Sequence, residues 1–359
     1  MILQPGAGPI DGRHYLASSP DTVLWGWLPN ARTKPVLSID AGDVVTIDTM
    51  SHEGVLPDFD FDPLGWFGRH GVARTDVLLD AIAIARDVPH EAPHAGPHVV
   101  TGPIHVRGAR PGDLLKIDVV GLRTRVPYGV ISNRHGLGAL PDEFPEPGPN
   151  GSRPHCVSVF CPVDEQGPTP VGVISYGRGG QARFPLLPFL GVMGVAVDTE
   201  EPVNSVPPGR YGGNLDVKWL SAGSTLYLPV QVDGAGFHVG DPHFAQGNGE
   251  VALTAVEGSL RADLRLSVVP SAQARAAGRL LSEPFAETDN HWIPIGLDVD
   301  LNEAMRKAVR HAIEFLAGHV GMERHLAYAY LSAAADFEVT QVVDKVQGVH
   351  CMIRKSDFR

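Results

Sequence analysis

The stretch PGRYGGNLDVKWLSAGSTLYLPVQVDGAGFHVGDPHFAQGNGEV, residues 208–251, contains most of the side chains on which the predicted fold and function depend. Its centre, TLYLPVQV (225–232), is apolar and predicts a β-strand. Polar residues flanked by glycines lie on both sides of this strand, in GGNLD before it and in GDPHFAQGNGE after it. A strand between two such clusters can bring both to one edge of a sheet. Carboxylates, an imidazole and amides gathered there could bind a divalent metal ion, or form an acid/base site without a metal.

The composition is typical of a soluble globular protein. The chain has 359 residues and a net charge of −12, without a block of lysine or arginine. Nucleic acids and membrane surfaces are therefore not expected as partners, because both attract basic patches. The three cysteines form no CxxC pair, the N-terminus lacks a basic or apolar leader, and no apolar run is long enough to span a bilayer. We expect reduced thiols and a cytoplasmic location.

Turn and strand signals dominate the first part of the chain. A glycine-containing turn followed by an alternating strand occurs three times, as AGDVVTID (41–48), GARPGDLLKIDVVG (108–121) and LSAGSTLYLPVQV (220–232). This recurrence is either a divergent internal repeat or the ordinary hairpin pattern of a β-sandwich. Apolar spacing predicts one short helix at 75–88, with Thr75 or Asp76 as its N-cap. Residues 1–262 are thus predicted to form a β-rich region that carries most of the active site.

The C-terminal part, residues 263–359, changes to an α+β pattern. Apolar residues recur at helical spacing over 301–320, with Asp300 as the expected N-cap, and again over 322–337. Two helices packed on the sheet are expected there, and the second should break near Ser332. The sequence therefore predicts a mostly β protein with an α+β C-terminal part.

Five segments share a sequence pattern with a known family of enzymes. They are TGPIHVRGARPGDLLKIDV (101–119), PFLGVMGVAV (188–197), PGRYGGNLDVKWLSAGSTLYLPV (208–230), GDPHFAQGNGEV (240–251) and LSAAADFEVTQVVDKVQGVH (331–350). Through these segments the chain resembles the acetamidase/formamidase family. The resemblance implies a β-sandwich of the CUB-like class, hydrolysis of short aliphatic amides to a carboxylate and ammonia, and a homodimer or higher homo-oligomer.

Two segments depart from the pattern of the family's amidases. GNGE replaces an expected GDGE, so that Asn248 stands where a carboxylate is expected. MSHEG replaces an expected Asp after the first long strand and places His52 and Glu53 there. Formamide or acetamide is therefore the default substrate. A larger amide or a cyclic imide, with the aromatic segment 59–67 as a wall of the site, is one alternative, and a non-catalytic small-molecule-binding sandwich is another.

His243 and Asp241 are the first candidates for metal ligands. They stand two residues apart on a predicted strand, so their side chains point to the same face. Asp216 and His52 are the next candidates, and zinc is the expected ion, with calcium as the alternative. The structural alternatives are a buried strand histidine bonded to Asp241 and a turn capped by Asp216 and Asn214.

Amide hydrolysis requires a nucleophile, a polarised carbonyl and a proton for the leaving amine. The sequence has no GxSxG nucleophile elbow, so water activated by a metal ion is the predicted nucleophile. Glu250 is the predicted general base and acid, acting with His243 and Asp216. The residues predicted to bind the substrate are Asn214, Gln246, Asn248 and His135. Backbone NH groups near Gly212 and Gly249 are expected to support the oxyanion.

A second group of histidines lies outside this stretch. It comprises His90, His94, His98 and His105. Such a tract could bind a metal, but prolines interrupt its spacing, so the imidazoles share no helix face. We interpret the tract as a loop without a catalytic role.

Overall fold

The computed structural model describes residues 2–91, 94–278 and 282–358, and its regular structure is mainly β-sheet. In chain order its strands are His14–Leu16 (β1), Val23–Trp25 (β2), Trp27–Leu28 (β3), Leu37–Asp40 (β4), Val44–Asp48 (β5), Val99–Arg107 (β6), Leu114–Thr124 (β7), Tyr128–Arg134 (β8), Cys156–Asp164 (β9), Val171–Tyr176 (β10), Gly180–Pro185 (β11), Phe189–Gly194 (β12), Val203–Asn204 (β13), Gly212–Asn214 (β14), Thr225–Pro229 (β15), Phe237–Ala245 (β16), Val256–Glu257 (β17), Leu260–Val269 (β18), Phe285–Glu287 (β19), His291–Asp298 (β20), Asp336–Gln341 (β21) and Gln347–Arg354 (β22).

The described helices are fewer and shorter. They are Pro63–Arg69 (α1), Leu79–Asp87 (α2), Ser271–Ala276 (α3), Leu301–Phe315 (α4) and Arg324–Ala334 (α5). Four 3₁₀ turns lie at Pro57–Phe59, Arg74–Asp76, Gly177–Gly179 and Lys355–Asp357, and a π-helical turn at Leu316–Val320 follows α4. None of the helices in the described ranges is long and apolar enough to cross a membrane.

One sheet has nine strands in the order β1-β5-β18-β7-β15-β19-β20-β22-β21. The predicted strand TLYLPVQV becomes β15, paired antiparallel with β7 on one side and β19 on the other. Strand β18 runs from Leu260 to Val269 and therefore crosses the predicted boundary at residue 262. The two predicted regions thus share this sheet rather than having one each.

The second sheet positions the two glycine-rich clusters. Its main path is β11-β10-β9-β8-β17-β16-β12-β14, and β6 joins it at β16 and carries β2 and β4. Strand β12 lies between β16, which contains Asp241 and His243, and β14, which ends at Asn214. The two clusters therefore flank the same strand, although many residues separate them in the chain.

Strand alternation directs successive side chains of the nine-stranded sheet into two different cores. Leu226 and Leu228 of β15 belong to the main buried cluster, which also contains residues of the second sheet such as Phe237 and Val239. Tyr227, which lies between the two leucines, belongs to another cluster, formed with Phe315 of α4, Leu331 of α5 and Ile353 of β22. Helices α4 and α5 therefore cover the face opposite the main core.

The helix boundaries differ from prediction at three points. Helix α4 begins after Asp300, whose carboxylate accepts hydrogen bonds from the NH groups of Asn302 and Glu303, so the predicted N-cap is confirmed. Helix α2 instead begins after Leu78, because Arg74–Asp76 forms a separate 3₁₀ turn, and the NH of Leu79 donates to Oε1 of Gln4 at 2.9 Å. Helix α5 continues through Ser332 to Ala334 without the predicted break. The segment 51–72, predicted to be a loop, contains α1, which Asp62 caps.

Candidate active site

Three acidic residues of the central stretch have an unusual backbone conformation. Asp216, Asp241 and Glu250 have φ values of 50°, 50° and 45°, in the left-handed region that non-glycine residues seldom occupy. All three side chains are buried and line one cavity. Backbone strain of this kind costs on the order of 1–3 kcal/mol per residue and tends to occur at functional sites.

His243 lies at the centre of these carboxyl groups. Its Nε2 atom is 3.1 Å from Oδ2 of Asp241 and 3.0 Å from Oε1 of Glu257, and its Nδ1 atom is 3.7 Å from Oδ1 of Asp216. Strand pairing explains the contact with Glu257, because β17 pairs with β16 so that Glu257 stands opposite His243. The clusters around Asp216 and His243 thus meet in one hollow.

Two further histidines contact Asp241 from another side. The Nδ1 atom of His52 is 3.3 Å from Oδ1 of Asp241, and the Nε2 atom of His98 is 3.8 Å from Oδ2. Ser205 fixes the His98 ring from behind, with its hydroxyl 2.9 Å from Nδ1. Both rings are buried, so Asp241 connects two groups of imidazoles and carboxylates.

The electrostatics of the site show more negative charge than the protein itself neutralises. Burial, with the Asp241 carboxylate nearby, raises the pKa of Asp216 to about 6. Burial also raises the pKa of Glu257 to about 7, although His243 opposes the rise. The pKa of Glu250 lies well above its usual value because the group is buried beside Asp216 and Asp344. A bound cation would favour the ionised form of each of these carboxyl groups and so lower its pKa.

The pKa values of the His52 and His243 imidazoles are raised as well, whereas burial lowers the pKa of His98 to about 4. Burial alone would lower the pKa of His52, but hydrogen bonding to Asp241 and Glu53 raises it to about 10. Burial also disfavours the charged ring of His243, yet Glu257 and Asp241 hold its pKa well above the usual value. Since each carboxylate stabilises positive charge at the rings, the hollow as a whole favours a cation.

Unsatisfied hydrogen-bonding atoms of these side chains also indicate a place for a metal ion. Both ring nitrogens of His243 lie near carboxylate oxygens, but within the described residues no neighbour is aligned to form a hydrogen bond with them. One buried oxygen each of Asp216, Asp241 and Glu257 likewise has no aligned partner there. Buried polar atoms are normally satisfied. In the part of the chain that the structure describes, three sets of side chains have ligand atoms within 4.8 Å of one another: His52, His98 and Asp241; Asp216, His243 and Glu250; and Asp241, His243 and Glu257. Nitrogen and oxygen donors in this combination suit a divalent ion.

Gly191 of β12 leaves the space that these atoms occupy. A Cβ atom at this position would lie 2.4 Å from Oδ1 of Asp216, 2.6 Å from Oδ2 of Asp241 and 2.9 Å from Cε1 of His243. Only a glycine allows the three side chains to approach the strand so closely. Gly191 therefore forms the floor of the site.

Arg134 provides a fixed cation for Glu53, which lies beside the site. Its Nη1 atom is 2.8 Å from Oε1 of Glu53, and its Nε atom donates to Asp58 at 2.7 Å. Although burial opposes ionisation, Arg134 and His52 bring the pKa of Glu53 to about 2. Glu53 also lies 3.4 Å from Nε2 of His52, so it orients a candidate ligand. This is the carboxylate–histidine arrangement that commonly supports metal sites.

Replacing Arg134 by alanine is expected to destabilise the fold by about 3–5 kcal/mol, because it leaves Glu53 buried without its cation. Denaturant unfolding of the two proteins would measure the difference. Arg153→Ala removes an exposed guanidinium and should change the free energy of unfolding by less than about 0.5 kcal/mol. Equal unfolding of R134A and wild type would show that water reaches Glu53.

The structure brings most of the predicted site residues together, but not all of them. Asn214, Asp216, Asp241, Glu250 and His52 line the cavity, and His243 lies against three of its carboxyl groups. Three predicted substrate-binding residues lie elsewhere. Gln246 donates to the backbone oxygen of Asp216 at 2.8 Å, Asn248 is exposed and bonds to Glu338, and His135 is exposed outside the cavity lining.

Three residues of the site were missed or misassigned in the sequence. His98, assigned to a loop without a catalytic role, is buried against Asp241, just before β6 begins. Glu257 and Asp344 are buried cavity residues in the apolar segments TAVEGSL and QVVDKV. A buried acidic residue is rare without a partner, so an isolated Glu or Asp in an apolar strand was the available signal.

The cavity above these residues has a volume of about 520 Å³. Its outer wall includes Leu56, Pro57 and Asp58, whereas the aromatic side chains of 59–67 do not line it. Phe59 and Trp66 pack into the main core instead, so the predicted aromatic wall is wrong.

Comparison with known proteins shows which family the chain is similar to. The Acetamidase/Formamidase family model matches residues 192–354, which include the site residues from Asp216 to Asp344. The chain is 26% identical over 268 residues to a formamidase of Methylophilus methylotrophus, covering 60% of this chain and 66% of that protein. It is 27% identical over 292 residues to an acetamidase of Mycolicibacterium smegmatis, covering 64% of this chain and 71% of that one. These matches confirm the resemblance of the chain to the acetamidase/formamidase family.

A solved structure extends the similarity to nearly the whole chain. The crystal structure of an acetamidase from Bacillus halodurans matches with a TM-score of 0.71 and 27% identity, covering 96% of this chain and 98% of the other. The mostly β architecture with added helices is therefore that of solved acetamidases. The resemblance inferred from the sequence is confirmed, and the family model includes the segments 208–230, 240–251 and 331–350 on which it rests.

Proposed function

We propose that this member of the acetamidase/formamidase family hydrolyses the carboxamide bond of a small linear amide to a carboxylate and ammonia. Two relatives that it matches are a formamidase and an acetamidase, which supports this reaction class. The observation that carries the proposal is the convergence of Asp216, Asp241, His243 and Glu250 in one buried hollow at the base of a cavity. A non-catalytic scaffold would have no reason to maintain so many buried, strained carboxyl groups.

A divalent metal ion, zinc before calcium, is proposed to bind this hollow. His243, Asp241 and Asp216 would hold it, with His52, His98 and Glu257 as further candidate ligands. When bound, such an ion supplies a water nucleophile at neutral pH and polarises the amide carbonyl. Glu250 is proposed to take a proton from the attacking water and give it to the leaving amine, since its side chain lies beside the candidate ligands. Asn214, whose buried Oδ1 atom has no partner within the described residues, is proposed to orient the substrate amide.

The size of the cavity favours a second candidate within the same reaction class. A volume of about 520 Å³ lies within the range of pockets that hold drug-sized ligands, and a one- or two-carbon amide would fill little of it. A larger amide or a cyclic imide is therefore the proposed alternative substrate. The non-catalytic alternative loses its main support, because Asn248 lies outside the cavity and its lost carboxylate removes nothing from the site.

Ammonia release from a series of amides tests the reaction and its substrate together. We expect release from formamide, acetamide or a longer amide, and the chain length with the highest kcat/KM would choose between the two candidates. Dialysis against a chelator should remove the activity, and added zinc should restore it. The absence of ammonia from every amide and of the ring-opened half-amide from every cyclic imide, with zinc present in the protein, would contradict the proposal.

Three further features remain proposals: the CUB-like class of the sandwich, a homodimer or higher homo-oligomer, and a cytoplasmic location. Light scattering of the purified protein would test the oligomer.

A further inference from the structure

The segment that carries Glu250 is held by the C-terminal strand β21. The backbone NH of Gly249 donates to the carbonyl oxygen of Thr340 at 3.0 Å, and the NH of Val342 donates to the carbonyl oxygen of Gly249 at 3.2 Å. The turn needs such support, because Glu250 itself has a φ of 45°. The backbone hydrogen bonds to strand β21 therefore hold this turn in its conformation.

A side-chain connection reinforces the backbone one. The Nδ2 group of Asn248 donates to a carboxylate oxygen of Glu338 on β21. The same oxygen lies 3.2 Å from Nε2 of His350 on β22, and Nδ1 of His350 lies 2.7 Å from the hydroxyl of Thr340. His350 is fully buried, so the position of Glu338 is fixed from behind. None of these side chains lines the cavity.

The charge of Glu338 makes the amide of Asn248 necessary. Hydrogen bonding to His350, with a further contribution from Asn248, lowers the pKa of Glu338 to about 2, so this carboxylate is ionised at neutral pH. An aspartate at position 248 would place a second carboxylate against it, and like charges in direct contact repel. The repulsion would push residues 247–250 away from β21.

We propose that the chain Asn248–Glu338–His350 is a positioning device that sets Glu250 at the reaction centre. This inference rests on the proposed hydrolase function, and it assigns residues outside the cavity to that function. Asn248 acts through the short turn that joins it to Glu250. Catalytic groups displaced by about 1 Å can lose on the order of 100-fold in rate, so small movements of this turn matter.

Three variants form a double-mutant cycle that tests the proposed positioning device. N248D should lower kcat about 10- to 100-fold with little change in KM, because substrate binding groups stay in place. E338Q should keep kcat within about 3-fold of wild type, since the glutamine oxygen still accepts from Asn248. The double variant N248D/E338Q should recover most of the lost rate, because the glutamine NH₂ group can donate to the carboxylate introduced at position 248. N290D makes the same chemical change in the exposed β19–β20 turn and should leave kcat unchanged.

A failure to recover rate in the double variant, with all four proteins folded, would overturn the device. A crystal structure of N248D with Glu250 in its original position would also overturn the device, and this experiment does not depend on an activity assay. If the wild type hydrolyses no amide, the hydrolase proposal fails on its own, while the structure of N248D still decides whether Asn248 positions Glu250. A melting temperature of N248D within a few degrees of wild type would separate positioning from general destabilisation.

Discussion

Glu250→Gln is expected to lower kcat for amide hydrolysis by about 100- to 10,000-fold, the range over which positioned general bases contribute. Glutamine has nearly the same shape as glutamate and can occupy the same space beside Asp216 and His243. It cannot accept a proton from water, so the step that generates the nucleophile would lose its base. The measurement is kcat from steady-state ammonia release, with KM determined in the same experiment.

The same substitution should preserve or raise stability. Burial among Asp216 and Asp344 raises the pKa of Glu250 well above its usual value, which means that the folded protein disfavours its charge. A neutral amide removes one acidic group from this crowded hollow, so the melting temperature of E250Q should equal or exceed that of wild type. A gain in stability with a loss of rate is the pattern expected where a functional residue is held at an energetic cost.

Glu165→Gln is the matched control, since Glu165 is exposed in the β9–β10 turn. It should match wild type in kcat and in melting temperature. A normal kcat for E250Q would remove Glu250 from the role of base and transfer that role to another buried carboxyl group, of which Glu257 is the nearest candidate to His243.

The local part of the site was predictable, and the long-range part was not. Asp241 and His243 are two residues apart, so strand alternation predicts that they share a face. In the structure, Nε2 of His243 lies 3.1 Å from Oδ2 of Asp241. Asn214 and Asp216 lie near them only because β12 pairs with both β14 and β16. No periodicity in the sequence indicates this pairing, although the glycine-rich context suggested that the two clusters converge.

His98 and Glu257 were missed for the same reason, because strand pairing brings them to the site. Glu257 reaches His243 through the register of β17 on β16, and His98 reaches Asp241 from the start of β6, which pairs with the same edge of β16. Asn248 shows the reverse error, because its place beside Glu250 in the sequence suggested a role in the cavity. The left-handed turn at Glu250 instead directs Asn248 outward to β21. Side-chain direction at strained turns cannot be deduced from spacing.

Gly191→Ala is expected to abolish metal binding and activity together. The added methyl would lie 2.4 Å from Asp216 Oδ1 and 2.6 Å from Asp241 Oδ2, well inside van der Waals contact. Neither carboxylate can retreat easily, because both belong to buried residues with left-handed backbones. A shift of about 1 Å in one ligand would already cost on the order of 100-fold in rate. Metal content by elemental analysis and kcat by ammonia release would measure the two losses.

Gly68→Ala adds the same methyl group where nothing lies within 4 Å, in helix α1, and should be neutral or stabilising by about 0.5–1 kcal/mol. The comparison separates the effect of the site from that of a glycine substitution in general. If G191A stays folded but loses both metal and activity, the space left by Gly191 is required for the ion to bind. If G191A retained stoichiometric zinc and normal kcat, the ion would have to bind away from the Asp216–Asp241–His243 hollow. The two groups of side chains that meet above β12 would then be an electrostatic cluster without a catalytic role.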